Sequence, residues 1–491
     1  MGFSSIICAP FYLHFLGVEA YGLIGFFLTL LSVSNLLDLG LSSAINRELA
    51  RFSARPGEAR EARDLVRTLE LVYWSLAAVV GTTIWLLAPA LAGGWLNASQ
   101  LPVTTVRSAL MVMGLALAAQ WPLSLYSGGL MGLQRQVLLN AVLVVTATVR
   151  NFGAVLLLWL LTPSVIVFFA WQAVASLAHT LVTAVLLWRS LPDGEAPRFQ
   201  RSALIGIWRF AAGVGVTSAL AVVITQMDKV VLSKILSLRE FGYYSLATAV
   251  ASGLTFLVLP IFQAVFPRFS ALVARDEPQL LSRVYHQACQ LMAAVVLPIA
   301  AVLALFSAEV LKVWTGDADT VQQTDRLLAL LVVGTALNSL MNVPYALQLA
   351  LGWTRLALYL NAGAVVVFLP LLVVATSHQG AIAGAAIWVL VNAGYLLVGI
   401  NAMHSRLLRG EKRRWVVQDV GRPLAAALGV TLVARVVMSG APSRAMTALW
   451  LLVVLGGAAA ACVLATPATR EWARRLVTRR EALHQQSSTA G

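Results

Sequence analysis

The most informative residue of the chain is an arginine in the middle of a long apolar run. Arg150 falls between Val137 and Leu161, and Asn151 follows it directly. A guanidinium at the centre of a bilayer is costly unless it faces a partner or a water-filled cavity. Arg150 therefore predicts either a polar cavity between helices or a buried ion pair with an acid on a neighbouring helix.

Charged residues in two other apolar runs are candidates for that acid or for an ion-coupling site. Asp38 lies toward the end of its run and could neutralise Arg150; alternatively, it is solvated at the membrane interface. Asp228 and Lys229 are adjacent, and neighbouring residues of a helix point about 100° apart. One of the two could therefore face a cavity and hold a proton or a sodium ion, whereas the alternative is an interfacial pair.

The sequence offers no catalytic set and no metal or nucleotide site. The three cysteines, Cys8, Cys289 and Cys462, lie in apolar runs and have neither metal-binding nor disulfide spacing. The phosphate-binding motif G-x-x-x-x-G-K-[ST] does not occur. We therefore expect no metal, no cofactor and no hydrolysis of ATP by this chain.

Composition places these residues in membrane-spanning helices. Of 491 residues, 59% are hydrophobic and 11% are charged, and the mean hydropathy is +0.82. Apolar stretches of about 20 residues, the length that crosses a bilayer, recur from end to end. Their continuous apolarity, without a period of two, argues against a transmembrane barrel. We predict an all-α integral membrane protein with fourteen spans: 2–16, 20–45, 69–93, 106–130, 137–161, 164–188, 206–230, 241–266, 287–312, 327–350, 355–376, 380–403, 421–439 and 446–466.

Basic residues are concentrated in alternate loops. Six arginines lie from Arg47 to Arg67, and six lysines or arginines lie in 404–422. The positive-inside rule places these loops, and with them both termini, in the cytoplasm. The net charge of +14 reflects this bias and an attraction to anionic lipid headgroups. No basic soluble domain occurs, which argues against a nucleic-acid partner.

Landmarks recur along the chain at a spacing of about 220 residues. The recurring landmarks are Tyr21-Gly22 with Phe241-Gly242, Arg47 with Arg268, and Arg135 with Arg355. Six spans lie between equivalent points, so both halves share one orientation. This pattern is typical of parallel repeats related by an axis along the membrane normal, which several transporters contain.

The repeat predicts two six-helix lobes, residues 1–190 and 204–405, related by a pseudo-two-fold axis along the membrane normal. Spans thirteen and fourteen, within 415–466, lie outside the repeat as two additional C-terminal helices. Residues 467–491 are predicted to form a cytoplasmic amphipathic tail. The first span, from Gly2 to Leu16, is short for a crossing, so the chain is expected to begin inside its first helix.

Several short motifs resemble a known family. The run Pro10-Phe-Tyr-Leu-His-Phe-Leu-Gly-Val-Glu-Ala-Tyr-Gly22 and the run Leu37-Asp-Leu-Gly-Leu41, which Arg47 follows, are similar to the polysaccharide-biosynthesis flippases. These flippases belong to the multidrug/oligosaccharidyl-lipid/polysaccharide exporter superfamily. The second half resembles them at Asp228-Lys229 and at Phe241-Gly-Tyr-Tyr244. With the spans and the two lobes, the resemblance covers nearly the whole chain.

The resemblance implies a flippase for a lipid-linked oligosaccharide. Such a protein moves a surface-polysaccharide or O-antigen repeat unit, carried on undecaprenyl pyrophosphate, from the cytoplasmic to the outer leaflet of the bacterial inner membrane. Two lobes rock about a central cavity to give alternating access, and the transport is expected to be ion-coupled. The implied partners are the lipid-linked oligosaccharide, membrane lipids and the polysaccharide polymerase machinery.

A cargo of this kind needs cations for its diphosphate and amides for its sugars. A guanidinium offers two parallel hydrogen bonds to a phosphate, so we predict that Arg150, with Asn151, binds the diphosphate. Arg47, near the cytoplasmic mouth, could receive it first, or could be one more positive-inside arginine. Asn338 and Asn342 offer amides to sugar hydroxyls, although polar residues also join helices.

Other functions remain open on the sequence. A multidrug exporter of the same fold, coupled to sodium or protons, usually carries cations, whereas the mid-membrane Arg150 favours an anion. A membrane glycan polymerase, ligase or glycosyltransferase needs a substantial outer loop, and Asp317 and Asp319 lie in a loop of only about a dozen residues. A purely structural membrane subunit would not require buried charges. We therefore predict a transporter and not an enzyme.

Overall fold

The computed structural model shows a chain built of long α-helices. It describes residues 2–53, 58–192, 195–437 and 443–471, with the side chains of residues 203–224 described in part. The chain divides into two compact units, Met1–Ser245 and Leu246–Gly491. This boundary differs from the predicted one at residues 190–204, because α8 (Arg201–Ile235) and the start of the next helix belong to the first compact unit. The division into two six-helix lobes stays a prediction.

The first unit contains eight helices in the described ranges, and a ninth carries the chain into the second unit. They are α1 (Gly2–Ser34), α2 (Leu41–Ser53), α3 (Ala59–Ala90), α4 (Val103–Gln120), α5 (Leu123–Gly132), α6 (Gln136–Leu160), α7 (Val165–Ser190), α8 and α9 (Leu238–Ala251). Buried apolar side chains of α2, α3, α5 and α7, including Ile45, Leu69 and Leu187, form the core of this unit.

The N-terminal helical segment is interrupted at two places by residues with positive φ. Gly17 has a φ of 81°, so α1 consists of two arms that meet at this glycine. After α1 and a 3-10 turn, Leu39 and Gly40 also have positive φ, and the chain restarts as α2. The prediction of one span over 20–45 is therefore wrong at its end, because the helix is interrupted there. The separate helix α2 buries one apolar face and exposes its polar face.

The repeat found in the sequence has a reciprocal contact in the first unit. A Cβ atom added to Gly22 would overlap the carbonyl oxygen of Leu238, and one added to Gly242 would overlap the carbonyl oxygen of Val18. Val18 and Leu238 are separated by 220 residues, as are Gly22 and Gly242. The corresponding glycines of the two repeats thus make the same contact with each other's helix, and only glycine leaves room for it.

The segment 195–200, which precedes α8, is bonded to α3 near its start, the end that the charge pattern predicts to be cytoplasmic. Asp64, whose side chain is 1% exposed, accepts hydrogen bonds from the backbone N–H of Arg198 (2.7 Å) and from Nε2 of Gln200 (2.5 Å). The backbone N–H of Gln200 also donates to Thr68 Oγ1 at 2.9 Å. A buried carboxylate is costly unless hydrogen-bonded, so these bonds hold the segment in one position.

The second unit is also helical. Its helices in the described ranges are α10 (Thr255–Ala274), α11 (Pro278–Leu305), α12 (Ser307–Trp314), α13 (Ala318–Ala350), α14 (Arg355–Gln379), α15 (Ala381–Gly394), α16 (Ile400–Arg406), α17 (Lys412–Arg414), α18 (Arg422–Val437) and α19 (Arg444–Ala465). A π-helical turn, Trp415–Gly421, joins α17 to α18.

The two additional C-terminal helices pack on the second unit. Both α18 and α19 contact α11 and each other, and Ala427 and Cys462 join Ala293 in a buried apolar cluster. All three cysteines of the chain are buried and free. The predicted amphipathic tail, 467–491, lies outside the described residues from 472 onward.

The predicted fold class is confirmed as an all-α, multi-pass membrane protein. In the described ranges, twelve helical stretches are long and apolar enough to cross a membrane. Fourteen spans were predicted because the two arms of α1 count separately in the sequence, and because α8 holds a further predicted span. The rotational relation of the two predicted lobes stays a prediction.

The reciprocal glycine contact predicts a loss of stability on substitution. Gly22→Ala and Gly242→Ala should each lower the free energy of unfolding by about 1–3 kcal/mol, the usual cost of overpacking, because the opposing atoms are backbone carbonyls. The melting temperature of the purified protein in detergent measures this. Gly363→Ala is the matched control, since an added Cβ there meets nothing within 4 Å. Melting temperatures of Gly22→Ala and Gly242→Ala equal to that of the control would contradict the contact.

Candidate functional site

Arg150 lies at the centre of a polar cluster inside the first unit. It is half-buried on α6, and its Nη1 donates a hydrogen bond to Oε1 of Gln120 on α4 at 3.1 Å. Ser176 of α7 donates to the same oxygen at 3.1 Å, and Nε1 of Trp171 donates to the carbonyl of Arg150 at 2.9 Å. Gln120 is a neutral acceptor, and its bonds to Arg150 and Ser176 orient the guanidinium.

Asn151, the second predicted diphosphate ligand, faces the first arm of α1. Its Nδ2 donates to Ser4 Oγ at 2.8 Å, and its carbonyl accepts a hydrogen bond from Tyr12 Oη at 2.9 Å. The side chain is only 5% exposed. These contacts join α6 to α1, so Asn151 acts here as a helix-joining amide beside Arg150.

A polar stripe on α7 completes this cluster, and the sequence analysis did not identify it. Its members are Gln172, Ser176, His179, Thr180 and Thr183. All are buried, and their spacing of three or four residues places them on one face of the helix. Thr180 Oγ1 donates to the carbonyl of Ala119 on α4 at 2.7 Å. The stripe could have been found in the sequence, because these polar residues recur with helical periodicity in an apolar run.

His179 is the unusual member of the stripe. It is 4% exposed, and its Nε2 has no hydrogen-bond partner within the described part of the chain. It lies on the same face of α7 as Ser176, which shares the Gln120 oxygen with Arg150. Together Arg150, His179 and Gln120 give the cluster donors that an oxygen-rich anionic group could use.

Asp38 lies in the 3-10 turn between α1 and α2. Its Oδ1 accepts hydrogen bonds from Tyr73 Oη (2.5 Å) and Ser124 Oγ (3.1 Å), and its Oδ2 accepts from Ser42 Oγ (2.7 Å) and Ser42 N–H (3.3 Å). These bonds link the turn to α2, α3 and α5. The described partners of Asp38 and Arg150 are different residues, and pairing between the two stays a prediction. Arg47, nine residues further on, is exposed on the polar face of α2.

Asp228 and Lys229 form an ion pair near the end of α8. Lys229 Nζ lies 3.6 Å from Asp228 Oδ1 and donates to the carbonyl of Thr225 at 3.1 Å. Tyr244 Oη donates to Asp228 Oδ2 at 3.0 Å. The sequence indicated that the two side chains need not meet, but the flexible lysine reaches back to its neighbour. Each side chain is about one quarter exposed, at 24% for Lys229 and 23% for Asp228.

Asn338 and Asn342 line one pocket in the second unit. The pocket has a volume of about 250 Å³, and its wall also includes Asn361, Tyr345 and Tyr395. Asn338 Nδ2 donates to Asn392 Oδ1 at 2.8 Å, and Tyr395 Oη donates to Asn361 Oδ1 at 2.9 Å. Helices α13 and α14 and the turn after α15 thus bring together amide and phenol groups, which suit hydroxyl-rich ligands.

A buried network in the second unit was not foreseen from the sequence. The imidazole of His286 on α11 bonds through Nδ1 to Asp419 Oδ2 and through Nε2 to Glu411 Oε2 at 3.2 Å. Gln290 Nε2 donates to Asp419 Oδ1 at 2.9 Å, and Gln290 Oε1 accepts from the backbone N–H of Ala468 at 3.0 Å. This network ties both C-terminal helices to α11.

The network predicts a double-variant effect on stability. His286→Ala should lower the free energy of unfolding by about 3–5 kcal/mol, because Oδ2 of the fully buried Asp419 carboxylate loses the imidazole and only the bond from Gln290 to Oδ1 remains. Adding Asp419→Asn removes that charge and should restore part of the loss. Thermal melting in detergent measures both changes. Glu48→Gln is the control, because its helical pair (Arg51 Nη2 to Glu48 Oε2, 2.9 Å) has one exposed partner, Arg51, at 49%. No recovery in the double variant would show that packing, and not charge, dominates.

Comparisons with known proteins agree with this architecture. The polysaccharide biosynthesis protein family matches residues 14–322. A putative O-antigen transporter of Shigella flexneri is 22% identical over 378 residues, which are 76% of this chain and 87% of that protein. The lipid II flippase MurJ in an inward closed conformation has a similar structure, with a TM-score of 0.75, 12% identity, and coverage of 97% of this chain and 98% of that one. An inward-facing multidrug resistance MATE transporter of the MOP superfamily also has a similar structure, with a TM-score of 0.64 and 16% identity. The match covers 83% of this chain and 95% of that one. The chain therefore has the fold of these transporters and belongs to the polysaccharide biosynthesis protein family.

Proposed function

We propose that the protein is a flippase for a lipid-linked oligosaccharide. It moves a surface-polysaccharide repeat unit, carried on undecaprenyl pyrophosphate, from the cytoplasmic to the outer leaflet of the bacterial inner membrane by alternating access. The observation that carries this proposal is the half-buried guanidinium of Arg150 in mid-span, held by a neutral glutamine. The family match and the O-antigen transporter relative support the class of cargo.

The chemistry of the diphosphate explains why an arginine is suited to this depth. An anionic head cannot cross hydrocarbon unless a cation accompanies it, and a guanidinium binds phosphate through two parallel hydrogen bonds. The bond from Arg150 Nη1 to Gln120 orients the guanidinium within the polar cluster. His179 Nε2 and the Ser176 hydroxyl lie in the same polar cluster, so the diphosphate meets several hydrogen-bonding groups there.

The sugar part of the cargo has a suitable environment in the second unit. The pocket around Asn338, Asn342 and Asn361 is lined by four side-chain amides, the fourth being Gln348, and by two tyrosines, and its volume is about 250 Å³. An amide both donates and accepts, as a sugar hydroxyl does, and a tyrosine ring packs against the apolar face of a sugar. This volume fits about one sugar ring, so we propose a subsite for a single residue of the glycan.

Ion coupling is assigned to the Asp228–Lys229 pair. The pair is partly exposed, and Asp228 Oδ1 is a buried atom that lies 3.6 Å from Lys229 Nζ and has no hydrogen-bond partner in the described part of the chain. A proton or sodium ion could replace the lysine at this carboxylate. Asp38, with its four hydrogen bonds, is better suited to hold the turn after α1. Arg47, exposed on α2, is proposed as a first contact for the diphosphate on the cytoplasmic side, where the basic loops and both termini lie.

A multidrug exporter is the second candidate, because the fold also matches a MATE transporter at a TM-score of 0.64. A cavity for cationic drugs would favour acids, whereas the polar cluster of the first unit is centred on an arginine. We therefore assign transport and no enzymatic activity, with a polysaccharide polymerase as the partner that receives the flipped unit.

Arg150→Ala should reduce surface polysaccharide by about tenfold to a hundredfold, since a hydrogen bond to a charged group contributes about 1.5–3 kcal/mol. Arg150→Lys should recover only part of the transport, because it keeps the charge but loses the fork. Polysaccharide on cells lacking the chromosomal gene, normalised to membrane abundance of the variant, measures the effect.

Arg135→Ala is the matched control, because Arg135 is exposed at the start of the same helix. It should leave transport within about twofold of the natural protein, the range expected of a surface substitution. Normal polysaccharide with Arg150→Ala would refute the diphosphate role. Efflux of a cationic dye that depends on the protein and is unaffected by Arg150→Ala would favour the multidrug exporter.

The proposed sugar subsite predicts that substitutions in the pocket weaken glycan binding without changing diphosphate binding. Asn342→Ala and Asn361→Ala should weaken binding of the glycan-bearing lipid by about fivefold to tenfold, as for a lost hydrogen bond of 1–1.5 kcal/mol, and leave binding of undecaprenyl diphosphate unchanged. Binding to the purified protein is measured for both lipids. Asn401→Ala, an exposed asparagine outside the pocket, is the control. An equal loss for both lipids would contradict a sugar-specific subsite.

A further inference from the structure

A basic pocket in the first unit lies where α3 begins and α7 ends. It has a volume of about 450 Å³ and is lined by Arg63, Arg67, Glu70, Trp188 and Pro197. It shares no residue with the Arg150 cluster. Two of its five residues are arginines, and its position coincides with the loops that the charge pattern assigns to the cytoplasmic side.

The acid of this pocket is already engaged by the protein. Glu70 accepts hydrogen bonds from Arg67 Nη1 (2.8 Å), Tyr126 Oη (2.7 Å) and Trp188 Nε1 (3.3 Å). Three donors therefore satisfy a single carboxylate, and they fix Arg67 and Trp188 in place. Glu70 offsets one of the two guanidinium charges, so the lining keeps a net charge of +1 (two arginines and one glutamate).

Arg63 supplies the charge that is not offset within the lining. Its guanidinium lies 5.6 Å from the centre of the Trp188 ring, and its Nη1 donates to the carbonyl of Pro192 at 3.2 Å. Its Nε–H is buried and has no hydrogen-bond partner among the described residues. A buried N–H without a partner is uncommon, and here it belongs to a cation oriented by an aromatic ring and a backbone carbonyl.

The remaining wall is held firmly by a buried acid. Pro197 lies in the segment that Asp64 fixes to α3 through Arg198 and Gln200. The pocket is therefore formed by two helices and a fixed connecting segment, and its shape does not depend on long surface side chains alone.

An exposed apolar stripe on α7 leads away from the pocket. The stripe runs back from Trp188 toward the start of α7 at intervals of three or four residues. Its members, which are 41–59% exposed, are Val185, Leu181, Leu177 and Val174. In a membrane-spanning helix such a stripe is accessible to lipid chains. Tryptophan also favours the level of the lipid headgroups. The natural occupant of the pocket is thus an amphiphile with an anionic head and an apolar tail.

We propose that this pocket binds the phosphate group of an anionic membrane lipid on the cytoplasmic side, with Arg63 and Arg67 as the ligands and the lipid tail along α7. The phosphate can come from an anionic phospholipid or from the polyprenyl diphosphate of a lipid-linked glycan. Guanidinium groups recognise both through the same paired hydrogen bonds. The proposal does not require that the protein transports either lipid.

Native mass spectrometry of the purified full chain tests the proposal. Phosphatidylglycerol, undecaprenyl diphosphate, phosphatidylcholine and inorganic pyrophosphate are titrated separately. Arg63→Gln with Arg67→Gln should weaken binding of at least one of the two anionic lipids by about tenfold or more, as expected when charge-assisted hydrogen bonds are lost. Arg51→Gln with Arg275→Gln removes the same charge from two exposed arginines elsewhere and should leave binding unchanged.

The outcomes distinguish which lipid supplies the phosphate and show when the proposal fails. Loss confined to phosphatidylglycerol identifies a phospholipid site, and loss confined to undecaprenyl diphosphate identifies a docking site for that carrier. Equal losses in the control pair, no loss for either lipid, or pyrophosphate binding as tightly as the lipids would each overturn the proposal. Should the double variant fail to fold, Arg63→Gln alone applies, because Arg63 lies outside the Glu70 hydrogen bonds, and the same outcomes decide.

Discussion

A polar side chain inside an apolar helix needs a protein partner, on its own helix or on a neighbouring one, because hydrocarbon offers none. This constraint determines how the helices of the first unit are arranged. Gln120 of α4 binds both Arg150 of α6 and Ser176 of α7, and Asn151 binds Ser4 of α1. The contacts that orient the guanidinium thus also join α4, α6 and α7, and the neighbouring Asn151 adds α1, so the site and the packing cannot vary independently.

The same constraint acts on the second unit, again between residues that are far apart along the chain. His286 and Asp419 are 133 residues apart and form a pair whose side chains are 1% and 0% exposed. Gln290 connects this pair to the end of α19 through Ala468. Helices that the sequence repeat does not include are thus joined to α11 by buried polar bonds as well as by apolar packing.

The sequence predicts single anomalies well and pairings poorly. Arg150 was recognisable because one charge in a long apolar run has few explanations, and the helices were recognisable from hydropathy. The end of span two was wrong because left-handed Leu39 and Gly40 interrupt an apolar run that shows no break in composition. Asp419 could not be recognised as buried, because it follows a strongly basic loop and its partner is remote in the chain. Asn338 and Asn342 were expected to act together, but Asn361 joins them only through the packing of α14.

The burial of all three cysteines has a practical consequence for probing this protein. Cys8 and Cys462 are 0% exposed and Cys289 is 3% exposed, and none of them forms a disulfide. A water-soluble maleimide should therefore react slowly with the natural chain. A single cysteine introduced at an exposed position would be the dominant reactive thiol, so spin labels or fluorophores could be attached at chosen sites without first replacing the native residues.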